Sequence, residues 1–143
     1  VSVAQTPTVD DPIALVNKIK STTWQPLVTL TDLNVLYKYI QCDDDLNGIH
    51  KERVLLSFKN PTKLPIRVEY DLVLWYNNKC YNCNANDGEY HHFLVVPAKS
   101  SVDGACASET GEGVAILSRY IDMPNETSKL TNFSIRNIKV YSK

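Results

Sequence analysis

Four cysteines are the residues of this chain with the most evident chemistry: Cys42, Cys80, Cys83 and Cys106. An even number of cysteines in a short, loop-rich chain is typical of an oxidising compartment, so we expect all four to form structural disulfides. The Cys80-Tyr81-Asn82-Cys83 motif leaves a zinc site or a redox-active pair as alternatives. However, a redox motif normally opens a helix, and structural zinc normally needs a second closely spaced pair of ligands. The motif is followed instead by the loop-forming residues Asn84, Asn86 and Gly88.

An acidic segment has the composition of a calcium-binding loop. The run Asp43-Asp44-Asp45-Leu46-Asn47-Gly48 matches the start of an EF-hand, but its twelfth position is Val54, where a bidentate Glu is required. Two interpretations remain: a looser calcium site with Asp43, Asp45 and Asn47 as ligands, or a solvated turn between strands. No other cofactor is indicated. The binding surface predicted at these loops comprises Asp43, Asp44, Asp45, Asn47, Asp87 and Glu89.

Aromatic and aliphatic side chains indicate an alternative binding face at Val73, Trp75 and Tyr81. An exposed aromatic patch of this kind is able to bind a glycan or a partner protein. The competing interpretation is that residues 12–30, with Trp24 and Leu27, pack on the sandwich and cover Val73 and Trp75.

The chain carries none of the common catalytic signatures. It contains three histidines and no nucleophile elbow, phosphate-binding loop, dinucleotide fingerprint or HExxH motif. The acids Asp43 and Asp45 lie in a turn, where they lack the apolar surroundings that raise a catalytic pKa. We therefore expect that the protein is not an enzyme.

Hydrophobic periodicity changes from helical to strand-like along the chain. Asp11-Pro12 is typical of a helix start, and apolar residues follow it at helical spacing, so we expect a short helix over roughly 12–20. Later apolar residues recur at every second position, as in half-buried strands. The last strand keeps its apolar face only if a bulge lies near Asn137. The predicted strands span roughly 33–41, 53–59, 66–76, 90–96, 101–106, 114–121 and 130–141.

These elements predict an all-β protein: an Ig-like antiparallel β-sandwich of about seven strands with a short N-terminal helix or extension. We divide the chain into an N-terminal extension, 1–26, and a disulfide-linked sandwich, 27–143. The net charge of −1 argues against a nucleic-acid partner, which requires a basic surface. No apolar run reaches the length of a transmembrane segment.

The strand count also positions the cysteines. If successive strands alternate in direction, all four cysteines gather at one end of the sandwich, beside the acidic loops 43–51, 77–89 and 107–112. Three pairings are then open, and we favour Cys42–Cys80 with Cys83–Cys106.

Several segments resemble a known group of proteins. They are the string from Val54 to Thr62, the run from Val68 to Cys80, Cys106 after Val102-Asp103-Gly104, and the closing segment from Leu130 to Ile138. These segments resemble small secreted Ig-like proteins of Bacteroidota with no assigned function. The resemblance implies an Ig-like fold and an envelope or secreted location, and it brings no activity or functional residues.

We therefore predict a non-catalytic, extracytoplasmic protein–protein interaction module, as an accessory subunit of a cell-envelope complex. The alternative is a carbohydrate-binding or adhesive module with a calcium-supported loop. The expected location is periplasmic, cell-surface or secreted. This expectation rests on the cysteines and on a chain that starts at Val1, as a mature protein does after its export signal is removed.

Overall fold

The computed structural model describes residues 13–14, 20–83, 91–108, 113–121 and 128–142. These residues form ten strands and no helix. In chain order the strands are β1 (Ile13–Ala14), β2 (Gln25–Thr29), β3 (Asn34–Asp44), β4 (Ile49–Lys59), β5 (Ile66–Tyr76), β6 (Lys79–Cys80), β7 (His91–Val96), β8 (Ser101–Asp103), β9 (Ala115–Tyr120) and β10 (Leu130–Ser142). In this part of the chain no helix is long and apolar enough to cross a membrane.

The strands form two antiparallel sheets. In sheet A the order is β1-β10-β5, and both β6 and β7 pair with the other side of β5. In sheet B the order is β2-β3-β4, and both β8 and β9 pair with the other side of β4. The protein is therefore an all-β sandwich, as the sequence predicts.

The alternating pattern of β5 shows how the sequence builds the core. Ile66, Val68 and Tyr70 are buried on one face, whereas Arg67 is exposed on the other. Aromatic rings from the two sheets meet between them, because Phe58 of β4 stacks on Tyr70 of β5 with the ring centroids 4.8 Å apart. Offset stacking of this kind stabilises a core beyond simple burial of apolar area.

The predicted bulge at Asn137 is confirmed. Asn137 has a φ of 54°, and the register of β10 against β5 shifts between Arg136 and Lys139. Asn tolerates this left-handed conformation better than most residues. The shift moves Ile138 and Val140 onto the inner face, where both are buried.

The N-terminal part differs from the prediction. Ile13 and Ala14 form a strand that pairs with Phe133 and Asn132 of β10, so a helix beginning at Pro12 is wrong at these two positions. Pairing with the free edge of β10 satisfies backbone hydrogen-bonding groups of these two residues. Helical periodicity in the sequence gives no indication of such long-range pairing. The rest of that predicted helix, 12 and 15–19, lies outside the described residues.

Candidate functional site

The first disulfide joins Cys42 to Cys106, with their Cα atoms 5.5 Å apart. The predicted Cys42–Cys80 and Cys83–Cys106 pairs are therefore wrong. The reason is that Cys106 follows β8, which pairs with β4 next to β3, the strand that carries Cys42. Arg53 of β4 holds the same loop, because its guanidinium donates hydrogen bonds to the carbonyl oxygens of Cys106 and Ser108 at 2.8 and 3.1 Å.

The second disulfide closes the Cys80–Cys83 motif on itself, three residues apart in sequence. With both bridges formed, no thiol remains free to act as a zinc ligand. Inside the motif the side chain of Asn82 is buried against β5. Its Oδ1 accepts a hydrogen bond from the Leu74 amide at 2.9 Å, and its Nδ2 donates to the Leu72 carbonyl at 2.7 Å. Between β6 and β7, the Asn82 side chain therefore makes the hydrogen bonds to the β5 backbone that a neighbouring strand would otherwise make.

The acidic loop is a tight turn between β3 and β4. The Asp43 carboxylate accepts a hydrogen bond from Gln41 at 2.9 Å and lies 2.7 Å from His50 Nδ1. Asp44 accepts from the side-chain amide of Asn47 at 2.8 Å. The Gln41 bond, followed by the His50 contact, lowers the pKa of Asp43, and the Asn47 bond lowers that of Asp44.

These acids are stabilised by local hydrogen bonds, which favour the ionised form without a cation. Asp45 and Asn47 are exposed in the turn. Among the described residues no three side chains of His, Cys, Asp or Glu are grouped so that they could hold a metal ion. Asp87 and Glu89 lie outside the described residues. The calcium site at Asp43, Asp45 and Asn47 therefore stays a prediction.

The alternative face is on the outside of sheet A. Val73 is buried, Trp75 is half-buried and Tyr81 is 65% exposed, with its ring against that of Tyr76. The structure therefore separates the three predicted residues into a shielded pair on β5 and an exposed ring in the motif between the cysteines.

Trp24 and Leu27 do not cover Val73 and Trp75, so that part of the prediction is wrong. Leu27 lies in β2, which pairs with β3 at the edge of sheet B, and it packs against the core. The Trp24 ring lies 4.5 Å from the Lys38 ammonium of β3. The apolar spacing predicted a packed segment but not the sheet on which it packs.

A surface that the sequence did not reveal lies along β7. In the described part of the chain β7 pairs with β5 alone, so its other side is a free edge of sheet A. Phe93 is 64% exposed and Val95 is 39% exposed. The sequence predicted the strand but not its place at the edge. One signal was present, because none of its six residues is Asp, Glu, Lys, Arg or Pro.

Paired polar and charged side chains lie beside this edge. His91 Nδ1 is 2.6 Å from the Asp71 carboxylate, whose other oxygen accepts a hydrogen bond from Asn137 at 2.7 Å. The Arg67 guanidinium lies 4.9 Å from the Phe93 ring centroid and 3.5 Å from Glu69. The polar and charged side chains next to Phe93 are therefore paired with one another, whereas Phe93 and Val95 face solvent.

Comparison with known proteins gave few similarities. No family model matches the chain, and no curated protein matches it. The chain is similar to a solved structure described as a DUF1425 family member from Shewanella sp. pv-4. That similarity has 15% sequence identity and a TM-score of 0.39, and it covers 83% of this chain and 93% of the other. At this level it carries no information on function.

Proposed function

We propose that this protein is a non-catalytic, extracytoplasmic interaction module that binds an extended segment of a partner protein along the free edge of β7. Within this proposal the module is Ig-like, has its origin in Bacteroidota and serves as an accessory subunit of a cell-envelope complex. The observation that carries the proposal is an edge strand with exposed apolar side chains and no protective residue.

Free strand edges attract other strands, because their unpaired N–H and C=O groups are a template for a further ladder. Natural proteins protect such edges with Lys, Pro, a bulge or a very short strand. β7 has six residues, pairs with β5 without a register shift, and contains neither Lys nor Pro. An edge without these protections suits strand addition, in which main-chain bonds supply affinity and side chains such as Phe93 and Val95 supply specificity.

The composition of the surrounding surface supports the same proposal. Apolar residues at the centre and polar groups at the rim are typical of protein interfaces. Phe93 and Val95 form such a centre, and the Arg67–Glu69 and His91–Asp71 pairs lie at its border. The two disulfides are the feature that supports an extracytoplasmic location, whether periplasmic, cell-surface or secreted.

The test is site-specific photo-crosslinking in the native host. A photoreactive phenylalanine analogue at position 93 should give one discrete adduct of higher mass. The same group at Leu46, which is 94% exposed in the acidic turn, is the matched control and should give none. The change Val95→Glu should abolish the adduct at position 93 while the melting temperature stays unchanged, because a charged residue blocks strand addition at an edge and Glu would lie opposite Arg67.

Two outcomes would contradict the proposal. An adduct at position 46 alone would place the interaction at the acidic loops instead. The absence of any adduct at position 93 would show that the β7 edge contacts no partner.

A further inference from the structure

Three polar side chains on β10 form a row with unusual hydrogen bonding. Asn132, Ser134 and Arg136 alternate along the strand, so they project from one face of sheet A. Asn132 Oδ1, Ser134 Oγ and Arg136 Nε are all buried, and none has a hydrogen-bond partner. Ser134 is 1% exposed. Buried polar groups in folded proteins are nearly always bonded to protein or to ordered water, so three groups in one row without a protein partner indicate a place for water or a polar ligand.

The row lies beside Val73 and Trp75 of β5. The register pairs Asn132 with Trp75, Ser134 with Val73 and Arg136 with Asp71. Each of these pairs shares the outer face of the sheet, so the polar row and the Trp75 ring belong to one surface.

Trp75 and Arg136 form a cover over this surface. Their positions on the two strands lie four residues apart, which corresponds to about 13 Å along a strand. However, the Arg136 guanidinium is 5.6 Å from the centroid of the Trp75 ring. The two side chains must therefore lean towards each other above Val73 and Ser134, both of which are buried.

Arg136 takes this position although an acid lies opposite it. The carboxylate of Asp71 is bonded to His91 at 2.6 Å and to Asn137 at 2.7 Å. The guanidinium is therefore directed towards Trp75, and its Nε–H is left without an acceptor.

We propose that this surface is a saccharide-binding site, in which a sugar ring lies on Trp75 and its hydroxyl groups bond to Asn132, Ser134 and Arg136. The unbonded atoms are an acceptor, a hydroxyl that can donate or accept, and a donor, in that order along the strand. A hydroxyl group is able to satisfy each of them. A fully ionised anion such as sulfate only accepts, and an apolar ligand does neither, so neither satisfies the whole row.

The position of the row also favours a saccharide over an extended peptide. A peptide that joins a sheet is recognised through its backbone at an edge, as proposed for β7, whereas Ser134 is on the face of an inner strand. Recognition here must come from side chains and from the flat indole ring, which presents an apolar surface to the C–H groups of a sugar. Opening of the Trp75–Arg136 cover is part of binding, because Ser134 is otherwise shielded.

The experiment uses a variant with one tryptophan. The chain has two, so Trp24→Phe leaves the fluorescence of Trp75 alone. Cellohexaose, maltoheptaose and chitotetraose are each titrated up to millimolar concentration. At least one should give a saturable change in the Trp75 emission, and Phe93→Lys should leave that change unaltered, which separates this site from the β7 edge.

Ser134→Ala distinguishes a binding site from a tolerated structural defect. The change should weaken saccharide binding about tenfold, the effect of one hydrogen bond, while it raises the melting temperature because an unbonded buried hydroxyl is removed. Ser118→Ala is the matched control, since its buried hydroxyl already donates to Glu52 at 3.0 Å. That control should lower the melting temperature and leave binding unchanged. Emission that no saccharide alters, or binding that Ser134→Ala leaves unchanged, would overturn the proposal.

Discussion

At the scale of single residues, hydrogen bonds explain why so many acids tolerate one another in the β3–β4 turn. Asp43 and Asp44 each accept a bond from a neutral amide, at Gln41 and Asn47 respectively. Such bonds favour the ionised carboxylate and so offset the mutual repulsion of the acids in the turn. A cation at this turn would have to compete with these existing bonds.

Asp43 should give the turn a stability that depends on pH. Its pKa in the folded protein is lowered, chiefly by the Gln41 bond. Its contribution is therefore fully present above the ordinary carboxyl pKa of about 4 and is lost as the pH falls through the lowered value. We expect the melting temperature of the wild type to fall towards that of Asp43→Asn as the pH is lowered from neutral to about 3. Differential scanning calorimetry at several pH values measures this difference.

Asp45→Asn is the matched control, because Asp45 lies in the same turn and is exposed. If the difference between wild type and Asp43→Asn were constant over the whole range, or if Asp45→Asn gave the same pH dependence, the Asp43 bonds would not stabilise the turn.

At the scale of elements, the two disulfides have different roles. Cys42–Cys106 closes a segment of 64 residues and joins β3 to the loop after β8. Cys80–Cys83 closes three residues and holds Asn82 against the edge of β5. A crosslink stabilises mainly by restricting the unfolded chain, and this effect increases with the length of the closed loop.

Loss of the long bridge should therefore cost more stability than loss of the short one. On the chain-entropy scale, the double change Cys42→Ala with Cys106→Ala should lower the free energy of unfolding by about 4 kcal/mol. Cys80→Ala with Cys83→Ala should lower it by about 2 kcal/mol. Urea unfolding of the two variants and the wild type gives both values. Equal losses, or a larger loss for the short bridge, would contradict this assignment of roles.

The elements also show how far the sequence predicts this fold. All seven predicted strands are present, although the one predicted over 101–106 ends at Asp103. Apolar alternation is clearest in β3 and β5, and the bulge at Asn137 follows from the change of phase in β10. The strands β1, β2 and β6 were missed. β1 and β6 have two residues each, too few for a periodic pattern, and β2 contains Pro26, a residue that is rare within strands. The disulfide pairing was wrong because alternation places Cys42 and Cys106 at strand ends without showing which strands are neighbours.

The candidate site was harder to predict than the fold. The aromatic at Trp75 was identified from its type and position, but the partners of that surface, Asn132, Ser134 and Arg136, come from β10, more than fifty residues away in sequence. Likewise, the apolar composition of β7 is visible in the sequence, whereas its place at the edge is a property of sheet order. Both surfaces depend on long-range pairing, which local patterns do not encode.

At the scale of the whole molecule, the long disulfide and the two proposed binding surfaces lie on different sheets. Sheet B is held by the long disulfide and by Glu52, which contacts Lys20, Ser118 and Arg119 within 3.4 Å. Burial alone would raise the pKa of Glu52, but hydrogen bonds from Lys20 and Ser118 outweigh it and lower that pKa. Sheet A carries the free β7 edge and the Trp75 surface. We therefore propose a supporting role for sheet B and binding at sheet A.

The central claim is that the free edge of β7 receives a strand from a partner, and amide hydrogen exchange tests it most directly. The tagged protein would be purified gently from its host with any bound partner and compared with the same protein after dissociation. Strand addition should slow exchange in the first sample at those backbone amides of His91–Val96 that point away from β5, because these amides gain hydrogen bonds. Gln25–Thr29, the edge strand of sheet B, is the internal control and should exchange equally in both. Equal exchange at His91–Val96 in the two samples, or protection at Gln25–Thr29 instead, would contradict the claim.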